Sequence, residues 1–225
     1  TGFRNTASGT ASVSLGNYNY ATGDSSIALG KENWAEGASA MAIGYKNHAA
    51  GAGSVSLGQE NIAWGTTNFT SGYQNVAGDT SADVGTAGSA TAMGVQTTAS
   101  GRSSFTSNKN TSALNQASAA LGISTTADNF GMLAIGVNNA AGIGDTTVDP
   151  DNYGGYYYAD GEYTGSNPGV AFVIGNGDLN SSNGVGGENP SNAFIVNYDG
   201  SATLSGDLTI NSDIRLKSNI ASISS

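Results

Sequence analysis

The chain lacks cysteine, has a single histidine, and devotes only 11% of its residues to charged side chains. Without cysteine there can be neither a disulfide nor a thiolate metal site. The sequence has no signal peptide and no apolar run long enough to span a bilayer, so we expect no membrane insertion. With 7 Lys and Arg against 17 Asp and Glu, the net charge is −10. This balance argues against nucleic acid or an anionic membrane as a direct partner.

Glycine dominates what is present. From Gly2 to Gly72 it falls on every seventh residue without a miss, although only 34 of the 225 residues are glycine. The register slips by one between Gly72 and Gly94 and then resumes as far as Gly136, with Asn at some positions. Gly and Asn most readily adopt positive φ, so the recurring position is predicted to be a left-handed turn residue. A fixed period of this kind predicts a solenoid.

Two kinds of seven-residue half alternate, which makes the true repeat fourteen residues long. One half, as in Ser26–Gly30, places large apolar residues three and one before the glycine with a small residue between them. That alternation is typical of a short strand. The other half keeps Ala two before the glycine, as in Ala35–Gly37, and is mostly polar elsewhere. The sequence therefore predicts an all-β coil of two short strands and two tight turns, in which one strand carries larger apolar residues and the other small ones.

A coiled coil is excluded because its heptads need two apolar positions and good helix formers, whereas the fixed residue here is glycine. The predicted coil is too thin to bury much surface by itself. We therefore expect its large apolar residues to face a partner chain, with stacked neighbouring turns supplying the rest of the stability.

The repeats resemble the head domain of YadA-like trimeric adhesins over residues 1–141, less regularly at 73–93. That resemblance implies a left-handed parallel β-roll in a homotrimeric fibre. Asp79–Ala87 departs most from the pattern and is predicted to form a loop between two roll segments. Because Thr1 falls within a repeat, we expect the chain to be a piece of a longer protein.

Residues 142–169 lack the period and are rich in Gly, Asp and Tyr. Tyrosine rings beside carboxylates could bind sugar, although packing of an irregular cap or of adjoining chains explains them at least as well. The candidate binding residues are Tyr153, Tyr156, Tyr157, Tyr158 and Tyr163. The only histidine, His48, is placed at a turn of the roll and is interpreted as a surface residue, not a ligand. No metal site and no cofactor are predicted.

Strand patterning returns at 170–211, with an irregular β segment in which Asp199-Gly200 is a plausible hairpin turn. Residues 212–225 resemble the opening of the intramolecular chaperone domain found behind phage tail spikes and fibres, a self-cleaving endopeptidase. In that resemblance Ser212 is the nucleophile, Lys217 its activating base and Asp213 the neighbour of the scissile bond. A desolvated lysine can accept a hydroxyl proton, so the pair is chemically reasonable.

These features favour a segment of a trimeric phage tail fibre or spike on the virion, binding a bacterial surface glycan or another surface receptor. The alternative is a bacterial trimeric adhesin at the cell surface, whose relatives continue into a stalk and a membrane domain. A polysaccharide-degrading spike is a weaker third hypothesis, because paired acids at a suitable spacing are scarce. Apart from autocleavage at Ser212, we expect no enzymatic activity.

Overall fold

Strands that recur every fourteen residues build the chain, and no helix interrupts them in the described parts. The computed structural model describes residues 2–79, 88–143, 169–180 and 185–207. Strands β1 to β19 alternate between a long and a short kind and stack into two parallel sheets. The predicted all-β parallel solenoid is thus confirmed.

The long strands form one side of the coil: β1 (Gly2–Phe3), β3 (Val13–Asn17), β5 (Ile27–Lys31), β7 (Met41–Tyr45), β9 (Val55–Gln59), β11 (Phe69–Tyr73), β13 (Thr91–Val95), β15 (Phe105–Lys109), β17 (Ala119–Ile123) and β19 (Leu133–Val137). The short strands form the other side: β2 (Thr6–Ala7), β4 (Tyr20–Ala21), β6 (Trp34–Ala35), β8 (His48–Ala49), β10 (Ile62–Ala63), β12 (Val76–Ala77), β14 (Thr98–Ala99), β16 (Ser112–Ala113) and β18 (Thr126–Ala127). Equivalent residues of successive coils lie side by side, as Leu15 beside Leu29 and Ala21 beside Ala35.

Small side chains fill most of the narrow interior, and the larger Met132 and Val173 are fully buried near its last coils. Ala28 and Ala42 of the long strands and Ala35 and Ala49 of the short strands are fully buried. Alternation along a strand sends every large neighbour of these residues to the outer face. Both kinds of strand therefore contribute small residues to the core. The sequence predicts larger apolar residues on one strand than on the other, and this difference is found only among the outward side chains.

A column of asparagines, buried from Asn19 onward, runs along one corner of the coil and was not anticipated from the sequence. Its members follow the glycine of each long strand by three residues: Asn5, Asn19, Asn33, Asn47, Asn61 and Asn75. Each amide bonds to the asparagine of the neighbouring coil, as Asn33 Nδ2 donates to Asn19 Oδ1 over 3.0 Å. Threonine takes over the position at Thr97, Thr111 and Thr125. The asparagine side chains form hydrogen bonds with backbone groups that would otherwise be buried at this corner without a partner.

The positive φ predicted for the recurring glycines is found at only about half of them. Gly30, at the end of the long strand, has a positive φ of 115°. Gly37 does not lie in that region; it must be glycine because a Cβ there would overlap the carbonyl oxygen of Gly51 in the next coil. The tight turns are made two residues after each glycine, mostly by other residue types in the left-handed conformation, such as Glu32 (φ 57°) and Ser39 (φ 58°).

Left-handed backbone costs a non-glycine residue roughly 1–2 kcal/mol. Stacking supplies a compensation, because from the second coil onward the amide of each such turn residue donates to the preceding coil. Glu32 N bonds Asn17 O over 2.9 Å, and Ser39 N bonds Asp24 O over 2.7 Å. The turn geometry is therefore a property of the stack more than of the local sequence.

The roll continues across two interruptions. Gly72 pairs with Gly94, so one coil spans 22 residues instead of fourteen, and the predicted loop at Asp79–Ala87 lies almost wholly outside the described residues. Beyond residue 143, β20 (Val170–Asn176) pairs in parallel with β19 and adds another strand to the long-strand sheet. Loss of the sequence period therefore does not end the sheet.

The chain then turns back on itself. β21 (Leu179–Asn180) pairs with β22 (Val185–Gly186), while β23 (Asn192–Asn197) lies antiparallel to β20 and to β24 (Ala202–Leu204). The hairpin predicted at Asp199-Gly200 is confirmed: Gly200 has φ 84°, and Ser201 N bonds Asp199 Oδ1 over 2.8 Å. The hydrogen bonds from Ser201 lower the pKa of Asp199 below its ordinary value.

Candidate functional site

The first candidate surface is an apolar ribbon along the outer face of the long strands. Its members flank the small buried residue of each strand, and many are half-buried or exposed; Val13 is 41% and Leu15 42% exposed. The ribbon comprises Val13, Leu15, Ile27, Leu29, Met41, Ile43, Val55, Leu57, Phe69, Met93, Phe105, Leu121, Leu133 and Ile135. No charged residue occupies either of its two columns, although serine does at Ser71 and Ser107. The large apolar residues thus point away from the coil, as the sequence predicts.

The second candidate surface is an aromatic row on the side of the short strands. It consists of Tyr20, Trp34 and His48 in those strands and of Trp64, which directly follows β10. Neighbouring rings meet edge to face, with centroids 5.3 Å apart for Tyr20 and Trp34 and 5.8 Å for each of the other two neighbouring pairs. Such contacts add about 0.5–1.5 kcal/mol each beyond area burial and hold the rings in place. Trp34 nevertheless remains 47% exposed. The row therefore presents a rigid aromatic surface to solvent.

A carboxylate accompanies the row. Glu36 Oε2 lies 3.0 Å from His48 Nε2, and the Glu36 side chain is 41% exposed. The second oxygen, Oε1, accepts no hydrogen bond from the described residues. His48 begins strand β8 and its side chain is only 26% exposed, so its placement at a turn was wrong.

Charged residues collect at the corner that follows the long strands. The ammonium groups of Lys31 and Lys46 lie 5.3 and 5.2 Å from the centroid of the Tyr45 ring. Glu32 lies 3.4 Å from Lys31 and 3.8 Å from Lys46. The pKa of Lys46 lies above its ordinary value. The largest cause is a hydrogen bond with Tyr45, followed by the electrostatic interactions with Tyr45 and Glu32.

Tyr153, Tyr156, Tyr157, Tyr158 and Tyr163 lie outside the described residues, and so do Ser212, Asp213 and Lys217. The aromatic row was missed, although tyrosine, tryptophan and histidine at 20, 34 and 48 share the fourteen-residue spacing. That spacing was a usable signal, because equal positions in a solenoid stack on one another.

The comparison with known families agrees with this geometry. The family model for the YadA head domain repeat matches residues 7–33, 35–61 and 86–105. These three segments of the roll are similar to YadA head repeats. All three segments lie within the part for which the sequence predicted them. No curated protein matches the chain.

Across 2–79, 88–143, 169–180 and 185–207, no group of three or more His, Cys, Asp or Glu residues is placed to hold a metal ion. In the same ranges no helix is both long and apolar enough to cross a membrane.

Proposed function

We propose that the chain is the adhesive head of a trimeric surface protein, in which three rolls pack through their apolar ribbons. The outward position of the large apolar residues, above an interior of Ala, Ser and Thr, carries this proposal. Adhesins of the YadA type, whose head repeats occur here, provide the surface setting. The head would act at the cell surface as a rigid support that presents its other faces to a receptor.

The energetics favour assembly through the ribbon. Burying a Val, Leu, Ile, Phe or Met side chain contributes about 1.5–3 kcal/mol, and the single coil leaves these side chains incompletely covered. Each chain carries a net charge of −10, so like-charge repulsion opposes association. The ribbon avoids this penalty at the contact itself, because its two columns hold no charged residue.

The assembly is tested by replacing Leu29 and Leu57 with serine. Ser71 occupies the next position of the same column and pairs with Leu57, so the coil accepts serine there. We expect the native mass to fall from three chains to one while the β-sheet circular dichroism persists. Ile62→Ser is the matched control: it lies on the short strands, where Ser112 occupies the same column, and it should remain trimeric.

Adhesion is then measured with polymer beads that carry the trimer or the doubly substituted chain. Beads with the trimer should attach to cultured epithelial cells, and beads with the Leu29→Ser, Leu57→Ser chain should attach much less. A wild-type chain that is monomeric at micromolar concentration would refute the trimeric head.

A phage tail fibre remains a second candidate because of the resemblance of residues 212–225 to a self-cleaving chaperone. That resemblance concerns residues outside the described ranges. We predict that, if it is correct, a chain extended through a complete chaperone domain is cut next to Ser212, and that Ser212→Ala abolishes the cut. Denaturing gels and the N-terminal sequence of the released fragment would measure it. An extended chain that stays whole rules out this candidate.

A further inference from the structure

The corner around Tyr45 shows how this chain binds a cation. Two ammonium groups lie over one aromatic ring, beside a single carboxylate from Glu32. The attraction combines the negative face of the ring with the charge of the carboxylate. A second instance has no carboxylate: the Arg4 guanidinium lies 5.1 Å from the centroid of Phe3 and 5.4 Å from that of Tyr18.

Trp34 and Glu36 repeat the same chemical pair on the short-strand side. The ring is 47% exposed and the Glu36 side chain 41% exposed, and only Ala35, which points inward, separates them in sequence. Tryptophan is the aromatic residue that binds cations best. Throughout the described parts of the chain, no Lys or Arg lies over the Trp34 ring. The aromatic neighbours Tyr20 and His48 fix its position.

We propose that Trp34 and Glu36 form a binding site for a lysine or arginine side chain of a partner protein. The charge of the molecule supports this choice, because a chain of net charge −10 attracts a basic partner over a distance and repels an acidic one. The proposal rests on the adhesive function above, for which it names the partner chemistry. The site lies on the side of the coil opposite the apolar ribbon, so assembly leaves it accessible.

Fluorescein-labelled hexalysine is a suitable probe, with binding to the assembled chain followed by fluorescence anisotropy. Trp34→Thr removes the ring and keeps a residue that the column contains at Thr98 and Thr126. Glu36→Gln removes the carboxylate. Two matched controls accompany them: Ile62→Thr changes the same column without removing an aromatic ring, and Glu188→Gln removes one exposed negative charge beyond the last coil.

We expect Trp34→Thr and Glu36→Gln each to raise the dissociation constant of hexalysine about two- to fivefold. Ile62→Thr and Glu188→Gln should leave it unchanged. Equal weakening by Glu36→Gln and Glu188→Gln would show attraction by net charge alone and overturn the site. Displacement of hexalysine by neutral cellohexaose would overturn it in favour of a sugar platform.

The native mass of every variant separates this inference from the proposed function. If Trp34→Thr binds hexalysine as tightly as the wild type and is still trimeric, the cation site is wrong and the adhesive head stands. If Trp34→Thr loses the trimer, the short-strand face is an interface between chains and the proposed site is wrong for that reason.

Discussion

Asn47 is one member of the asparagine column, and its side chain bonds in three directions. Its Nδ2 donates to Ile43 O over 2.9 Å within its own coil, and to Gly58 O over 2.7 Å in the next. Nδ2 also approaches Asn33 Oδ1 at 3.1 Å, while Oδ1 accepts from the backbone and side-chain nitrogens of Asn61. Few other side chains of this size carry a donor and an acceptor at one end. The column therefore locks the register between coils.

We predict that Asn47→Ala destabilises the chain by about 1–3 kcal/mol, because it leaves the buried Asn61 amide without its acceptor. Asn47→Thr should cost less, since threonine holds this position in later coils and the Thr97 hydroxyl bonds Asn75 Oδ1 over 2.8 Å. The midpoint of urea unfolding measures the stability of both variants. All samples are compared at one chain concentration, because the midpoint of an oligomer depends on concentration. Equal losses in the two variants would contradict the hydrogen-bonding role.

At the level of strands, the sequence was most informative where one residue type recurs. The apolar pair of β5 and the alanine of β6 predicted their strands, and the apolar pair was expected to face a partner chain. The outward face of the short strands was harder, because residues as different as Trp34, His48 and Ile62 share one column. This column lies neither in the close-packed interior nor in the apolar ribbon, so its residue type varies from coil to coil.

Two further features depended on contacts that a local pattern does not contain. β20 joins the roll beside β19 although residues 138–169 separate them, because backbone pairing needs no fourteen-residue period. The left-handed conformation of Glu32 and Ser39 is supported by bonds to the preceding coil. Sequence reasoning assigned it to the nearby glycines, since their intrinsic preference is the signal visible in one repeat.

On the scale of the whole molecule, the roll is a one-dimensional stack. The stability of the roll is the sum of the folding free energy of each coil and of its interface with each neighbouring coil. Every coil adds one residue to each column. The two sides of the coil differ: one carries the apolar ribbon and the other the aromatic row. The phase of the repeat therefore decides which side a segment faces. Deleting half a coil exchanges the two sides, whereas deleting a whole coil does not.

Deleting whole and half coils tests this description. Removal of residues 45–58 joins Gly44 to Gln59 and takes one member from each column, so Asn33 meets Asn61 in the new stack. We predict that this variant keeps its β-sheet circular dichroism and its trimeric mass, with a small loss in unfolding midpoint. Removal of residues 45–51 instead exchanges the two sides for every later coil. It interrupts the asparagine column and turns the later part of the ribbon away from the partner chains.

We expect the half-coil variant to lose the trimer and to unfold at a distinctly lower urea concentration, because burial along the ribbon is no longer continuous. The whole-coil deletion is its control, since it removes twice as many residues and so excludes chain length as the cause. A half-coil variant that assembles and unfolds like the whole-coil variant would mean that the two sides are interchangeable. The apolar ribbon would then not be what assembles the head.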